Sequence, residues 1–356
     1  MKYSFRDHFS AIAPRLSPAL LASGHLHAVE ELCSMFPFDA ASDFGFETRL
    51  GNLEATCDFF LQIRKEGEGA GIIAGKSKVS LLSPSLLSIP FWQKISELFS
   101  VWTDSSSLLQ NRIESFWLEF DCMDSSFNPI PNIFFKIIEK EDSRRSQWVS
   151  MLEVLDEIYR ILFGIKFPAG LGRNLKRCFE ALPEHACLFH VGFMIPRKTE
   201  AVRLIISRLS ADLLMEYLKD IRWTGEMDVI RKMVSKYAVK FDHFSCNLHI
   251  GKTVLPVFGI EMYLKDLSQP QWDPRWNEIF GILEAENLLL RDKREGLTSY
   301  TSKKTISYLV PVHYINGINH LKLVYKPGMP LECKGYFGTM INPQKEATKQ
   351  ETTILL

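Results

Sequence analysis

The segment Ile113-Glu114-Ser115-Phe116-Trp117-Leu118-Glu119-Phe120-Asp121 alternates strictly along its length. Phe116, Leu118 and Phe120 give one face large apolar side chains, whereas the positions between them carry an aromatic ring and two acids. A period of two is typical of a strand that buries one face. The segment 53–63 has the same alternation, so the sequence predicts two strands that share an apolar and a polar side.

Most of the chain repeats this pattern between amphipathic helices. An example of the helices is the segment 90–103, which begins at a proline and carries a stripe of aromatic residues. Further strands are predicted at 132–138, 187–195, 201–208, 243–250, 257–265, 318–325 and 331–337. The fold class is therefore α+β, with repeated α-β-β-α units and helices that need an apolar surface to cover.

About ten antiparallel strands with all helices on one side can close into a barrel that has a polar lumen and outer helices. Neither a linker nor a shift in composition divides the chain. We therefore expect a helical lead-in at 1–50, a single barrel or sheet domain at 51–338, and a disordered tail at 339–356.

Composition limits the possible functions. The 356 residues include 42 basic and 42 acidic side chains, which argues against binding nucleic acid by bulk charge. The seven cysteines form no CxxC pair, which favours reduced thiols and a cytoplasmic location. No apolar run approaches the roughly 18 residues of a membrane span, and the first residues lack a signal-peptide core.

One segment matches a relaxed phosphate-loop pattern. Ala70-Gly71-Ile72-Ile73-Ala74-Gly75-Lys76-Ser77 would place Lys76 on an outer phosphate, which makes a nucleotide-dependent enzyme one alternative. The preceding strand has a polar face, and the residues that follow do not begin a clear helix. Both features are unlike a phosphate loop, so we expect no nucleotide site here.

Two strand segments carry a more specific pattern. Lys334-Gly335-Tyr336 and Glu261-Met262-Tyr263 resemble the K-x-Y strands by which ABBA-type prenyltransferases hold a diphosphate, although the second has Glu in place of Lys. The architecture over 51–338 is also similar to that family. The resemblance implies a transferase of bacterial natural-product biosynthesis. It would move a prenyl group from an allylic diphosphate to an aromatic small molecule or peptide side chain.

The polar faces supply candidates for that chemistry. Acids that could accept a proton are Glu54, Asp58, Glu119 and Asp121. Side chains that could bind the diphosphate or the prenyl group are Trp117, His190, Arg203, His249, Tyr263, His320, Lys322, Lys334 and Tyr336, and Phe60 adds a further ring. The cations Arg203, Lys322 and Lys334 could stabilise the charge of the leaving diphosphate without a cofactor. Mg²⁺ could bind together with the diphosphate but is not required. Histidines and acids share the polar face, but no HxxxH spacing supports a metal site.

The main alternative is a binding module that is not an enzyme. An open sheet could use the same polar face to recognise a peptide or protein, because a polar sheet face is most often simply solvated. The two hypotheses differ in the acids: a closed chamber should shift their pKa values, whereas an open sheet should leave them unchanged.

Overall fold

The computed structural model of the chain describes residues 3–78, 80–123, 126–138, 144–265, 268–308 and 311–343. These residues form thirteen strands and twelve α-helices. The strands are β1 (Asp43–Arg49), β2 (Cys57–Arg64), β3 (Ile113–Phe120), β4 (Cys122–Met123), β5 (Ser126–Phe127), β6 (Asn132–Ile137), β7 (Cys187–Phe193), β8 (Val202–Ser207), β9 (His243–Ile250), β10 (Val254–Tyr263), β11 (Ser302–Ser307), β12 (Pro311–Tyr325) and β13 (Glu332–Pro343). The helices are α1 (Phe5–Ile12), α2 (Ser23–Ser34), α3 (Glu68–Ile73), α4 (Pro84–Leu87), α5 (Pro90–Trp102), α6 (Leu108–Arg112), α7 (Arg144–Phe163), α8 (Ala169–Glu180), α9 (Ala211–Asp220), α10 (Met227–Lys236), α11 (Arg275–Ala285) and α12 (Arg291–Tyr300).

Ten strands form a closed antiparallel ring. Their order is β1-β2-β3-β6-β7-β8-β9-β10-β12-β13, and β13 pairs again with β1. The closing pair is β10 with β12, in which Glu261 lies opposite Lys322. The predicted barrel is confirmed. The alternative prediction of an open sheet, which the binding module requires, is wrong. The pairing of β10 with β12 joins the two edges that an open sheet would expose.

The apolar faces of the strands point outward to the helices. On α5, Trp92, Phe99 and Trp102 are buried on one face of the helix, at the spacing of an amphipathic helix. The rings of Phe99 and Trp102 lie 5.1 and 4.8 Å from the ring of Phe116 on β3. The core therefore fills the layer between barrel and helices, and the polar strand faces line the lumen.

The predicted domain boundaries need correction at both ends. The lead-in at 1–50 contains two helices and the barrel strand β1, which pairs with β2 and β13. The strand predicted at 53–63 begins only at Cys57. At the other end, β13 runs on to Pro343 inside the predicted tail, and residues 344–356 lie outside the described residues.

The phosphate-loop interpretation is wrong. Residues Glu68–Ile73 form α3, so the helix precedes the lysine instead of following it. The Lys76 ammonium donates hydrogen bonds to the Ser100 carbonyl (2.8 Å) and the Thr103 hydroxyl (2.9 Å). Lys76 thus caps the last turn of α5, where a cation is favoured by the exposed carbonyl groups.

In the described part of the chain, no helix combines the length with the apolar character that crossing a membrane requires.

Candidate active site

Two cavities lie in the part of the lumen that the described residues enclose. The larger measures about 480 Å³ and the smaller about 310 Å³, and Arg203 and Lys322 line both. We call the larger one the aromatic chamber; its walls include Phe60, Trp117, Phe134, Phe189, His190, Tyr263, His320 and Tyr336. We call the smaller one the charged chamber; its walls include Glu47, Arg49, Asp58, Asp121, Arg197, His249, Lys326, Glu332 and Lys334.

A belt of rings lines part of the aromatic chamber. The His320 ring lies 4.7 Å from Tyr263 and stacks at 4.1 Å on Tyr336. Phe60 continues the belt, 6.5 Å from Tyr336 and 5.4 Å from Trp117. Phe60 can approach β1 closely because Gly45 has no side chain; a Cβ there would come within 2.5 Å of the Phe60 ring. Such a wall suits a planar aromatic molecule or a delocalised cation.

Three β-bulges mark the mouth of the aromatic chamber. The register shifts between Ile113 and Ser115 in β3, between Leu188 and His190 in β7, and between Ile318 and His320 in β12. The extra residues are Glu114, Phe189 and Asn319, and all three line this chamber. Bulges of this kind are common at barrel rims beside active sites, where they turn side chains inward.

Glu261 is the centre of a buried polar network. It accepts hydrogen bonds from Asn247 (2.8 Å), Tyr263 (2.8 Å) and Lys322 (3.1 Å). Lys322 also donates to the Asn247 side chain at 3.0 Å. Burial alone would raise the pKa of Glu261, but Lys322 and its other donors lower it to about 2. Glu261 therefore stays ionised and holds Lys322 in place.

Glu47 forms a second network across the β1–β13 pair. It accepts hydrogen bonds from the Lys334 ammonium and the Tyr336 hydroxyl. Burial opposes its ionisation, yet Lys334 and Lys322 outweigh that effect and lower the pKa of Glu47 to about 2. The hydroxyls of Tyr263 and Tyr336 thus donate to buried glutamates, whereas their predicted role was to donate to a diphosphate.

The carboxylates of Asp58 and Glu119 lie beside Glu47, and their pKa values are raised, whereas that of Glu47 is lowered. Oxygen atoms of Glu47, Asp58 and Glu119 all lie within 4.8 Å of one another. Burial and the negative charge of Glu47 raise the pKa of Asp58 to about 6 and that of Glu119 to about 7, although Arg203 and Arg197 oppose the rise at Glu119. Glu119 can therefore exchange a proton near neutral pH, as a general base must.

The same three carboxylates have the spacing of a cation site, and oxygen ligands suit Mg²⁺. The fit is incomplete, because Glu47 already accepts hydrogen bonds through one oxygen from Lys334 and through the other from Tyr336. A metal ion bound here would have to compete with Lys334 for the Glu47 carboxylate.

Arg203 differs from the other cations in the lumen. Its guanidinium is buried, lies 5.4 Å from the Phe134 ring, and has an Nε without a hydrogen-bond partner among the described residues. By contrast, Arg197 is held by Asp121 at 2.6 Å. Burial, followed by the charges of Arg203, Lys322 and other cations, lowers the pKa of His249 to about 2, so this ring is neutral in the charged chamber.

The other two histidines lie in the aromatic chamber. Burial lowers the pKa of His190 to about 3 and that of His320 to about 4, so both rings are neutral at physiological pH. Each leaves its Nε2 atom without a partner among the described residues. A neutral imidazole of this kind can donate a hydrogen bond to a ligand or accept one from it.

Comparison with known proteins finds the same architecture. No family model matches the chain, and no curated protein matches its sequence. The backbone superposes on the prenyltransferase PriB with a TM-score of 0.53 for its complex with product diphosphate. For the ternary complex with L-tryptophan and dimethylallyl thiolodiphosphate the TM-score is 0.52. In both, the identity is 10%, and the alignment covers 97% of this chain and 99% of PriB.

This chain has the ABBA prenyltransferase barrel. The lumen of the ABBA barrel contains twelve of the thirteen site residues predicted from the sequence. The exception is Glu54, which lies exposed in the loop before β2, where its carbonyl accepts a hydrogen bond from Lys293. The strand that would have turned Glu54 inward begins three residues later, at Cys57.

Sequence reasoning missed several members of the site. Glu47 was placed in the lead-in, although Asp43–Arg49 alternates with the same period of two and could have been recognised as a strand. Asn247 and Phe134 lie on strands that were predicted, but they were not selected. Arg197 lies in a turn, and no local pattern shows that it reaches Asp121 and Glu119.

Proposed function

We propose that this ABBA barrel transfers a prenyl group from an allylic diphosphate to an aromatic acceptor, either a small molecule or an aromatic side chain of a peptide. One observation carries the proposal: an aromatic chamber adjoins a positively charged one, and Arg203 and Lys322 line both. An allylic diphosphate has the same two parts, an apolar chain joined to a trianionic head. A cytoplasmic location belongs to the same proposal.

In this proposal the diphosphate lies in the charged chamber. The Nε of Arg203 has no hydrogen-bond partner among the described residues, so it can donate to a phosphate oxygen. Lys322 and Lys334 already bind glutamates, but an ammonium group has three donors and each lysine keeps one for a phosphate oxygen. As the bond between the prenyl C1 and the diphosphate oxygen breaks, these cations stabilise the charge that develops on the leaving group.

The prenyl chain and the acceptor then occupy the aromatic chamber. Tyr336, Trp117 and Phe60 surround the allylic cation with ring faces and exclude water from it. A ring carbon of the acceptor forms the new bond to the prenyl C1 and then loses its proton. Glu119 is the base that we assign to that proton, because it lines the same chamber and its pKa is raised to about 7.

The similar structures support the proposal by what they bind. PriB has been captured with product diphosphate, and with L-tryptophan together with a thio analogue of dimethylallyl diphosphate. These ligands have the two chemistries that the two chambers of this chain offer. The cations of the lumen stabilise the negative charge of the diphosphate. We therefore propose that the reaction does not require a metal ion, although Mg²⁺ can bind together with the diphosphate.

Calorimetry tests the donor half of the proposal. Dimethylallyl and geranyl diphosphate are titrated into the wild type, into Arg203→Met and into the control Lys252→Ala, whose side chain is 91% exposed. A lost charged hydrogen bond costs about 1.5–3 kcal/mol, so Arg203→Met should weaken binding by roughly 10- to 150-fold. The control should bind as the wild type does. No binding of either diphosphate, or equal binding by Arg203→Met, would contradict the proposal.

Turnover tests the acceptor half. The protein is incubated with dimethylallyl diphosphate and a panel of indoles, phenols and aromatic peptides, and products are detected by mass spectrometry. We expect an acceptor that gains a dimethylallyl group in place of one ring proton, with release of diphosphate. Release of diphosphate with only the prenyl alcohol formed, for every acceptor, would point instead to a hydrolase.

A further inference from the structure

The bulge in β12 decides which side chains of this strand reach the lumen. Before it, the buried apolar positions are even-numbered, as at Tyr314 and Ile318. After it they are odd-numbered, as at Leu321 and Leu323. Ile318 pairs with Phe337, but His320 pairs with Tyr336, so Asn319 is the extra residue. A slip of one residue exchanges the two faces of a strand, and His320 and Lys322 face the lumen for this reason.

The bulge lies where β12 changes neighbours. On the side away from β13, β12 pairs with β11 as far as Asn316 and with β10 from Leu321 onward. Among the described residues, no strand pairs with 317–320 on that side. The buried backbone groups there still need hydrogen-bond partners.

The side chain of Gln269 occupies this gap. Its Oε1 accepts a hydrogen bond from the Ile318 N–H at 2.7 Å, and its Nε2 donates to the Ile318 carbonyl at 2.9 Å. Only 3% of Gln269 is exposed. Gly317 leaves room for it, because a Cβ at that position would come within 3.1 Å of the amide. The glutamine amide thus replaces one residue of a neighbouring strand.

We infer that Gln269 is a positioning residue that holds the β12 bulge and thereby sets His320 and Lys322 in the site. His320 fits between Tyr263 and Tyr336 only in this register, and Lys322 meets Glu261 only in this register. The consequence for turnover rests on the prenyltransferase function proposed above. The predicted position of the His320 ring does not depend on that function.

Histidine side-chain NMR tests the inference directly. In the wild type, the His320 ring protons should be shifted upfield by the two tyrosine rings, and the variant His320→Gln assigns them. Gln269→Met removes both hydrogen bonds and should abolish the upfield shift. Gln271→Leu is the control, because Gln271 lies in the same loop but donates to the carbonyls of Thr298 and Thr301. Its His320 signals should equal those of the wild type.

A second variant keeps the test decisive if Gln269→Met does not fold. In Gln269→Glu, a protonated carboxyl group can both donate to and accept from Ile318, whereas a carboxylate can only accept. Above the pH of about 4 at which His320 itself takes up a proton, the His320 shift should therefore be native-like while the carboxyl group is protonated and be lost as it ionises, with no such change in the wild type over the same range. Unchanged His320 signals in folded Gln269→Met, or at every pH in Gln269→Glu, would overturn the inference.

Turnover gives the second readout. If the barrel is a prenyltransferase, Gln269→Met should reduce kcat/KM on the order of 100-fold, as misplaced catalytic groups do, and Gln271→Leu should not. If the wild type shows neither donor binding nor turnover, the proposed function fails, while the NMR result still decides the role of Gln269.

Discussion

Removing the negative charge of Glu47 should make Glu119 a stronger acid. The two carboxylates lie within 4.8 Å of each other, and the charge of Glu47 is one of the causes that raise the pKa of Glu119 to about 7. The variant Glu47→Gln keeps the size of the side chain and its ability to accept a hydrogen bond from Tyr336. It removes the charge that opposes ionisation of Glu119, together with the second acceptor oxygen, which in the wild type accepts from Lys334.

The size of the effect follows from Coulomb's law. Two unit charges at 4.8 Å interact by roughly 3.5 kcal/mol at an effective dielectric constant of about 20. Since 1.36 kcal/mol corresponds to one pKa unit, the pKa of Glu119 should fall by about 2.5 in Glu47→Gln. The pKa of Asp58 should fall as well, because Glu47 also raises that value. The positive charge of Lys334, no longer neutralised, acts in the same direction.

Carboxyl carbon-13 NMR on glutamate-labelled protein measures this change, with Glu119→Gln to assign the signal. The control is Glu114→Gln, at the half-exposed mouth of the aromatic chamber, where the added distance and solvent screening leave little influence on Glu119. If Glu119 is the catalytic base, the acidic limb of the kcat/KM profile should move to lower pH by the same amount. A pKa of Glu119 that is equal in Glu47→Gln and the wild type would refute the reasoning.

Further predictions concern stability, the metal and the rejected phosphate loop. The pKa of Glu119 is raised from 4.5 to about 7 in the folded protein, so the stability that its proton gives is lost as the pH rises through this window; calorimetry should show that Glu119→Gln melts higher than the wild type at pH 8 but not at pH 4. Lys322→Met leaves the buried Glu261 charge unpaired and should lower the free energy of unfolding, measured by urea denaturation, by roughly 3–5 kcal/mol. The Lys322→Met/Glu261→Gln double variant should recover most of that loss. Additive losses for the two substitutions would count against the pairing. Turnover should persist in EDTA, and a loss that Mg²⁺ reverses would show that the lumen cations do not suffice. Lys76→Ala should cost less than about 1 kcal/mol and leave donor binding unchanged, whereas loss of nucleotide or donor binding would restore the phosphate-loop interpretation.

The polar side of the barrel was predictable because alternation is local. A period of two assigns each residue to a face without knowledge of its neighbours, which is why Trp117 and Tyr336 were assigned correctly to the lumen. The same argument failed at Glu54, because the first residue of a strand depends on pairing across the sheet. It also missed Glu47, whose strand lies in a segment assigned to the lead-in.

The chain by itself thus determined the strands, their apolar and polar faces, and the helices that cover the barrel, since each of these depends on side-chain periods within a few residues. The tertiary structure decided which faces meet. Glu47, Asp58 and Glu119 come from three strands that pair side by side, which brings their oxygens within 4.8 Å of one another, and closure of the barrel buries them in the lumen, where their pKa values are raised or lowered. The β12 bulge also depends on the tertiary structure, because its hydrogen bonds to Ile318 come from Gln269, which is 49 residues away in the chain.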